Sequence, residues 1–360
     1  MVGLAIGMLA SLVIMQVFAT FESQKRATTG ASDAMTNGNI ALFKVGHDVQ
    51  SAGYSLIPLS KSKGSPLLCT LPLYVDPVVV PLVKGLFPVT IIDNYLGSGS
   101  DAITVRYGDT VRGGTSTPIQ GVAGPIITVE SNFGCEIGNV TLVMKAAGNV
   151  CAVSRVRAMS APPPPPVPPA VLPPETLTLN DPTDTESGGT LACLGGWHEV
   201  TYTVDLVKYN LQRQDLGNLA ASSVEPAVAG IVNIQAQYGI SAAPSSNDVV
   251  QWVDAVDGQA NGNFGATMSR DERNRIKAIH IAIVTRDAKM EPSNVTGVCT
   301  TAQGTVNNGP CAWDDTGLAG AAPVINLNAI VPNWKQYRYR VFETVMPIRN
   351  VVFSQPILTP

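Results

Sequence analysis

The chain carries few of the side chains that catalyse reactions or bind metals, and it does not group them. Its three histidines, His47, His198 and His280, are far apart in a sequence of 360 residues. The sequence contains no phosphate-binding loop, dinucleotide fingerprint, nucleophile elbow or paired-histidine metal motif. The sequence therefore offers few residues from which a Ser-His-Asp arrangement or a zinc site could form. We expect neither an enzyme nor a cofactor or metal site.

Acidic side chains in two loops are the remaining candidates for cation binding. Asp181, Asp184 and Glu186 form one group, and Asp314 and Asp315 form the other. Carboxylate oxygens suit calcium, but neither group has the spacing of an EF-hand loop. We therefore interpret both groups as solvated loop carboxylates.

Six cysteines supply the other chemistry that the sequence offers. None lies in a Cys-x-x-Cys pair, and an even count in polar, glycine-rich surroundings favours disulfide bonds formed in an oxidising compartment. The sequence leaves many pairings open. We favour pairs that are close in the sequence, one closing a Gly/Asn-rich loop and one flanking a strand. The favoured pairs are Cys299–Cys311, Cys135–Cys151 and, for the two that remain, Cys69–Cys193.

The composition indicates a loop-rich, sheet-based protein that works outside the cytoplasm. Charged residues make up 14% of the chain, whereas an ordinary soluble domain has about 25%. The chain has 33 glycines and 27 prolines, and its apolar fraction of 45% is enough for a sizeable core. The net charge of −4 gives no support for a nucleic-acid-binding surface.

The N-terminal segment is the most informative part of the sequence. Residues 1–21, MVGLAIGMLASLVIMQVFATF, include no charged side chain. As a helix, this run spans about 31 Å, which matches the hydrocarbon core of a bilayer. Small residues recur at four-residue steps and let helices approach closely. The residues that we assign to this transmembrane and polymerisation helix are Val2, Gly3, Leu4, Ile6, Gly7, Leu9, Ser11, Leu12, Val13, Ile14, Val17 and Phe18.

A cleaved signal peptide and a plain membrane anchor are the alternatives for this segment. A signal peptide needs a basic stretch in front and small residues at a cleavage site, and neither is seen before FESQKRATT. In a plain anchor, Lys25 and Arg26 place the body in the cytoplasm by the positive-inside rule. That orientation conflicts with the disulfide interpretation, and a basic leader ahead of Met1 removes the conflict.

The helical pattern continues past Phe21. No proline occurs before Pro58, and Gly53 suits a helix end. Apolar side chains recur at three- and four-residue steps up to Val49. We predict one continuous helix over 2–52, about 75 Å long. Its first half is apolar on all sides, and its second half is amphipathic and packs one face on a globular domain.

The remainder of the chain shows the pattern of antiparallel sheet. Short β-branched or alternating runs lie between Gly, Pro and Asn residues. A short helix is predicted near 268–275 with Ser269 as its N-cap. The proline-rich stretch 162–174 favours a stiff polyproline surface loop or linker over a ligand for a proline-binding groove. The predicted strands include 103–107, 126–130, 140–146, 150–156 and 199–211, with further alternation at 232–238, 279–283 and 337–342.

Five segments together resemble the type IV pilin family. MVGLAIGMLASLVIMQVF (1–18) resembles the N-terminal helix of type IV pilins and pseudopilins, beginning a few residues inside the mature chain. FKVGHDVQSAGYSL (43–56) resembles the segment that closes this helix in PilW-type minor pilins. VNIQAQYGI (232–240), IKAIHIAIVTRD (276–287) and YRYRVFETVMPIRN (337–350) resemble further segments of the same proteins. Residues 57–225 match nothing that we can name.

The resemblance implies both a fold and a function. The expected fold class is α+β, with a long N-terminal helix (1–53) on a mainly antiparallel β-sheet domain (54–360). The expected function is that of a PilW-like minor pilin, a non-enzymatic filament subunit. Its partners would be other pilins and the assembly machinery, and it would move from the inner membrane into a cell-surface pilus. The family's cleaved leader, methylated N-terminal residue and assembly glutamate match no position in this sequence. A major filament subunit, a tip adhesin and a type II secretion pseudopilin remain as alternatives.

Overall fold

The structure of the protein is a computed structural model. It describes residues 2–56, 87–111, 114–145, 151–160, 175–180, 185–217, 224–314 and 320–353. The N-terminal helix α1 spans Val2–Ser51. Gly53, at φ +77°, lies just past its end and takes the left-handed conformation that glycine adopts without steric cost.

Strands are the main regular secondary structure in the remaining described chain, because short β-branched runs alternate there with Gly, Asn and Pro turns. Two short helices, α2 (Arg270–Arg275) and α3 (Arg349–Phe353), interrupt them. The strands are β1 (Val89–Ile92), β2 (Ala102–Gly108), β3 (Ser116–Ala123), β4 (Ile126–Val129), β5 (Val140–Met144), β6 (Cys151–Met159), β7 (Glu175–Leu179), β8 (Thr190–Gly195), β9 (Trp197–Asp205), β10 (Asn210–Asp215), β11 (Glu225–Ala229), β12 (Ile231–Ser241), β13 (Val249–Val253), β14 (Ile276–Arg286), β15 (Cys299–Thr300), β16 (Val306–Asn307) and β17 (Tyr339–Pro347).

The strands form two open sheets, a closed barrel and one small hairpin. The first sheet has the order β1-β2-β9-β10-β11, and the second has the order β13-β12-β14-β17. The barrel closes in the order β3-β4-β7-β6-β5-β8, and β15 pairs only with β16. Every strand pair in these sheets is antiparallel.

The main core lies where α1 meets both open sheets. Ala41, Val45 and Val49 of α1 are fully buried there, against side chains such as Ile283 of β14 and Tyr202 of β9. Alternation along β14 places its isoleucines in this core, as the sequence predicts, and turns His280 to the opposite face. This arrangement fixes the second half of α1 to the β body.

The barrel has its own core. Inward-facing side chains such as Ile127, Val143 and Leu191 fill its interior, and the alternate residues of the same strands, such as Leu142, pack outside it against Trp197. Trp197 begins β9, so the outer face of the barrel adjoins the first open sheet.

The predicted fold class, a long helix on one mainly antiparallel sheet, is wrong. The described residues are mostly β, with 40% strand and 23% helix, and they include a β-barrel. The barrel strands run from residue 116 to 195, inside the stretch 57–225 where the sequence offers no family resemblance. Strand propensity indicated that β5 and β6 are strands, but it carries no information about closure into a barrel.

The membrane-spanning part of the prediction for residues 1–21 is not supported. Among the residues that the structure describes, no helix is both long enough and apolar enough to cross a membrane. Two other predictions, the polyproline loop at 162–174 and the acidic positions 181, 184 and 315, lie outside the described residues.

Two of the predicted disulfide pairings are wrong. Cys135 bonds Cys193, with their Cα atoms 5.3 Å apart, which excludes both Cys135–Cys151 and Cys69–Cys193. Cys135 and Cys193 are far apart in the sequence, and the barrel brings them together on one core. Cys299 bonds Cys311, the local pair that the sequence favours. Cys151 is disulfide-bonded as well, and Cys69 lies outside the described residues.

Local signals predicted the start of helix α2 but not the turn within the run 199–211. Helix α2 has the predicted N-cap: Ser269 accepts from the Glu272 N–H, and the Glu272 side chain bonds back to Ser269 in a complete capping box. The alternating run 199–211, in contrast, is not one strand. It divides into β9 and β10 around a turn in which Tyr209 has φ +52°.

Candidate functional site

The first half of α1 exposes a continuous apolar surface. Met15 is 77% exposed, Phe18 is 72% exposed and Ile14 is 67% exposed. An exposed apolar area of this extent on a soluble protein marks a surface that a partner or a lipid covers. The predicted residues on this surface that are large and exposed are Ile6, Leu9, Leu12, Val13, Ile14, Val17 and Phe18.

The small predicted residues lie on the same exposed half. A Cβ atom built on Gly3 or Gly7 meets no other atom within 4 Å, so the body of the chain does not occupy the space beside them. The hydroxyl of Ser11 donates to the carbonyl of Met8, 2.9 Å away, and is thereby satisfied inside the helix. The stripe is therefore open to a second helix. The side chains of Val2 and Leu4 are outside the described part of the structure.

The second half of α1 packs along β17, and two glycines make the close approach possible. A Cβ atom on Gly38 would lie 2.1 Å from the ring of Phe342, and one on Gly46 would lie 3.2 Å from the terminal methyl of Met346. These pairs are eight residues apart on the helix and four apart on the strand. The rise per residue of a strand is about twice that of a helix. The two contacts therefore span nearly the same distance on both elements, and α1 lies alongside β17 between them.

A buried carboxylate anchors the end of α1 to the first open sheet. Asp48 is 5% exposed. Its Oδ2 accepts the hydroxyl of Tyr202 at 2.6 Å and Nε of Arg213 at 3.2 Å. Its Oδ1 accepts the hydroxyl of Tyr107 at 3.4 Å. Burial, and after it the charge of Asp48, raises the pKa of Tyr202, so the phenol stays protonated as a donor.

The residues after α1 are tied to β2 and to α3 by hydrogen bonds. The N–H of Gly53 donates to the carbonyl of Arg106 in β2, and Nδ2 of Asn350 in α3 donates to the carbonyl of Ala52 at 2.8 Å. Asp48 and Gly53 both lie in the quoted helix-closing segment 43–56. This segment thus ties the end of the helix to the body. In the first half, Ile14, Met15 and Phe18 line a pocket with the loop residues 289–292 but remain mostly exposed.

Two of the three histidines, His198 and His280, are held by hydrogen bonds to carboxylates. His280 bonds Oε1 of Glu343 through Nε2 at 2.9 Å and stacks on Trp313 with ring centroids 4.1 Å apart. His198 bonds Asp215 through Nδ1 at 2.8 Å, and this bond is the largest cause that raises the pKa of His198. Within the described ranges, no three His, Cys, Asp or Glu side chains lie close enough together to hold a metal ion.

The sequence predicted both the exposed half of α1 and the docking of its second half, but not the residues that hold the docked half in place. Gly38 and Gly46 looked unremarkable because the residues that approach them, Phe342 and Met346, are about three hundred positions away. The partners of Asp48 are equally remote in the chain. The available signal was the position of Asp48 one residue before Val49 on the apolar face of the helix end, since a carboxylate that is buried there requires donors.

The described chain thus combines an N-terminal helix, exposed and apolar along one half, with a β body on which the other half is docked. Residues 201–350 match the family model described as PilW, type IV pilus-assembly protein W. The resemblance to PilW-type pilus proteins is therefore confirmed over these residues. They include Tyr202 and Arg213, which bind Asp48, and the strand β17 along which α1 packs.

No curated protein matches the chain. Among solved structures, a type IV-like pilin from Thermus thermophilus is similar, with 10% sequence identity and a TM-score of 0.24 over 60% of this chain and 86% of that one.

Proposed function

We propose that the protein is a PilW-like minor subunit of a type IV pilus that enters the filament through the first half of α1. One observation carries this proposal: α1 exposes apolar side chains along its first half and is anchored firmly along its second. The similarity of residues 201–350 to a pilus-assembly family supports it. The protein would be held at the inner membrane before assembly and would lie in a cell-surface filament afterwards.

The mechanism is physical. Side chains such as Met15 and Phe18 require an apolar surrounding, because exposure of each large apolar side chain to water costs about 1.5–3 kcal/mol. Lipid meets this requirement before assembly, so helix packing rather than removal from water favours entry into the filament. A bundle of pilin helices supplies that surrounding, and the open stripe at Gly3, Gly7 and Ser11 lets a neighbouring backbone come close. Because Asp48 and the glycine contacts fix α1 to the body, insertion of the helix also fixes the orientation of the β domains outside the bundle.

The experiment that tests the proposal is a measurement of stoichiometry. Filaments are sheared from cells, purified and digested, and peptides from the described body are quantified against those of the most abundant subunit. A minor subunit is expected to be present and to account for a small percentage of all subunits. Absence from purified filaments refutes the filament role, and equimolar or greater amounts refute the minor role in favour of the major subunit.

A tip adhesin is a second candidate, because the barrel lies outside the residues that match the family model. Phe133 and Ile137, 68% and 66% exposed, flank Cys135, which is bonded to Cys193 of the barrel. If this loop binds a host surface, replacing both apolar residues with serine abolishes adhesion of piliated cells and leaves incorporation unchanged. Adhesion that survives the double replacement excludes this loop as the adhesive surface.

A further inference from the structure

The four edges of the two open sheets are not equivalent. Edge strands expose unpaired backbone groups, and natural proteins protect them by short length, bulges or proline. β1 has four residues and β13 has five, with a register shift in its pairing. β11 has five residues, contains Pro226 and also pairs with a register shift. β17 has nine residues and pairs with β14 over its whole length without a shift.

The ladder fixes which backbone groups of β17 point outward. The N–H of Asp287 donates to the carbonyl of Arg338, and the N–H of Ile348 donates to the carbonyl of Lys277. Hydrogen-bonded pairs alternate along an antiparallel ladder, so the even-numbered residues of β17 bond to β14. The N–H and C=O groups that face away from β14 belong to Tyr339, Val341, Glu343 and Val345. None of these groups makes a backbone hydrogen bond to another described residue.

A groove runs beside this edge. It has a volume of about 350 Å³ and lies between α1 and the end of β17. Phe43 and His47 line it from the helix, and Val345 and Pro347 line it from the strand. Phe43 is 73% exposed and Val345 is 51% exposed. The exposed edge of β17 therefore lies beside an apolar groove. When a strand is added to a sheet edge, such a groove binds every second side chain of the added strand.

The fully charged side chain that lines the groove is that of Arg349, which is exposed. Lys44, next to Phe43 on α1, is exposed as well, and neither side chain forms an ion pair or hydrogen bond with the described part of the chain. Arg340, further along β17, is also exposed, and its charge acts on Asp287. Glu343, the acidic residue on this strand, is bonded to His280. An incoming segment with acidic side chains is thus favoured over a basic one.

We propose that the outer edge of β17 is a docking site for an extended, acidic peptide segment, which adds a strand to the second open sheet. The outward groups of Tyr339, Val341, Glu343 and Val345 bond its backbone, and the groove beside α1 receives its apolar side chains. The assignment of this segment to another filament subunit rests on the proposed function. The peptide-binding chemistry of the edge does not depend on that function.

The probe is a synthetic peptide of about nine residues in which valine and glutamate alternate, matched to the length of β17. It is titrated into the full-length protein at a constant detergent concentration, and amide hydrogen exchange is followed along β17. The outward amides of Val341 and Val345 are expected to exchange rapidly in the free protein and slowly with the peptide bound. Slow exchange without peptide would show that the edge is already covered and would overturn the proposal.

Two variants at one position separate the backbone edge from the surrounding surface. Val345→Pro removes an outward N–H and no bond of the β14 ladder, so the fold is kept. Peptide affinity is expected to fall at least about tenfold. Val345→Thr keeps the N–H and is expected to change affinity by less than about threefold. Equal affinity of the proline variant and the wild type would place binding elsewhere and overturn the proposal.

A second peptide tests the charge. Replacement of every glutamate in the probe by lysine is expected to weaken binding at least about fivefold at low salt. Equal binding of both peptides would overturn the acidic preference. None of these measurements requires filaments, so a failure here is distinguishable from a failure of the proposed filament role.

Discussion

The anchor at Asp48 makes a quantitative prediction about how α1 is held. In Asp48→Ala, the guanidinium of Arg213 and the hydroxyls of Tyr202 and Tyr107 lose their shared acceptor. Removal of one partner from a fully buried ion pair costs about 3–5 kcal/mol. The side chain of Arg213 is 29% exposed, and Tyr202 keeps the carbonyl of Lys44 at 3.2 Å, so water and a second acceptor compensate in part.

The expected loss for Asp48→Ala is therefore about 2–3 kcal/mol in the free energy of unfolding. The assay is urea unfolding of the full-length protein in constant detergent, followed by the helical circular dichroism signal, to which α1 contributes most among the described helices. Asp33→Ala on the exposed side of α1 is the matched control, and its expected change is within about 0.5 kcal/mol. A loss below about 1 kcal/mol for Asp48→Ala, or equal losses for both variants, would refute the anchoring role.

The remaining predictions concern packing, pH and crosslinks. Gly38→Ala is expected to lower the free energy of unfolding by about 1–3 kcal/mol, because its Cβ meets the phenyl ring of Phe342 in β17. For Gly46→Ala the free energy of unfolding is expected to stay within about 1 kcal/mol of the wild-type value, because its Cβ meets only the flexible end of Met346. The urea midpoints of the two variants compare them directly. The raised pKa of His198 predicts a stabilisation that is complete below about pH 6.5 and is lost as the pH rises through the folded-state pKa. The difference in unfolding free energy between wild type and His198→Gln should therefore shrink between acidic and mildly alkaline buffers, and a constant difference would contradict this. Replacing both Cys299 and Cys311 by serine should cost about 3 kcal/mol, because their bond closes a loop with a sequence separation of 12; an unchanged urea midpoint would contradict it.

Signals that act over a few residues were readable from the sequence. The capping box of α2 needs only Ser269 and Glu272, three positions apart, and the alternation of isoleucines in β14 needs only neighbouring positions. The exposed apolar half of α1 was equally visible, because an uncharged run of 21 residues is apolar on all sides of a helix.

Features that depend on distant partners were not readable. The barrel strands pair in an order that differs from their order in the chain, and strand propensity does not encode such pairing. The disulfide between Cys135 and Cys193 follows from that closure, so proximity in the sequence gave the wrong partner. The docking of α1 likewise depends on contacts between Gly38 and Phe342 that only the folded chain brings together.

The central claim is that the exposed apolar half of α1 drives entry into a filament. It is tested most directly by the amount of protein in purified filaments from cells that produce Ile14→Glu, relative to the amount in whole cells. Val207→Glu, which changes an exposed apolar side chain on the body, is the matched control. We expect Ile14→Glu to be absent from filaments, or its amount there to be reduced at least about tenfold, while the control is incorporated normally. Incorporation of Ile14→Glu at the wild-type level would contradict it.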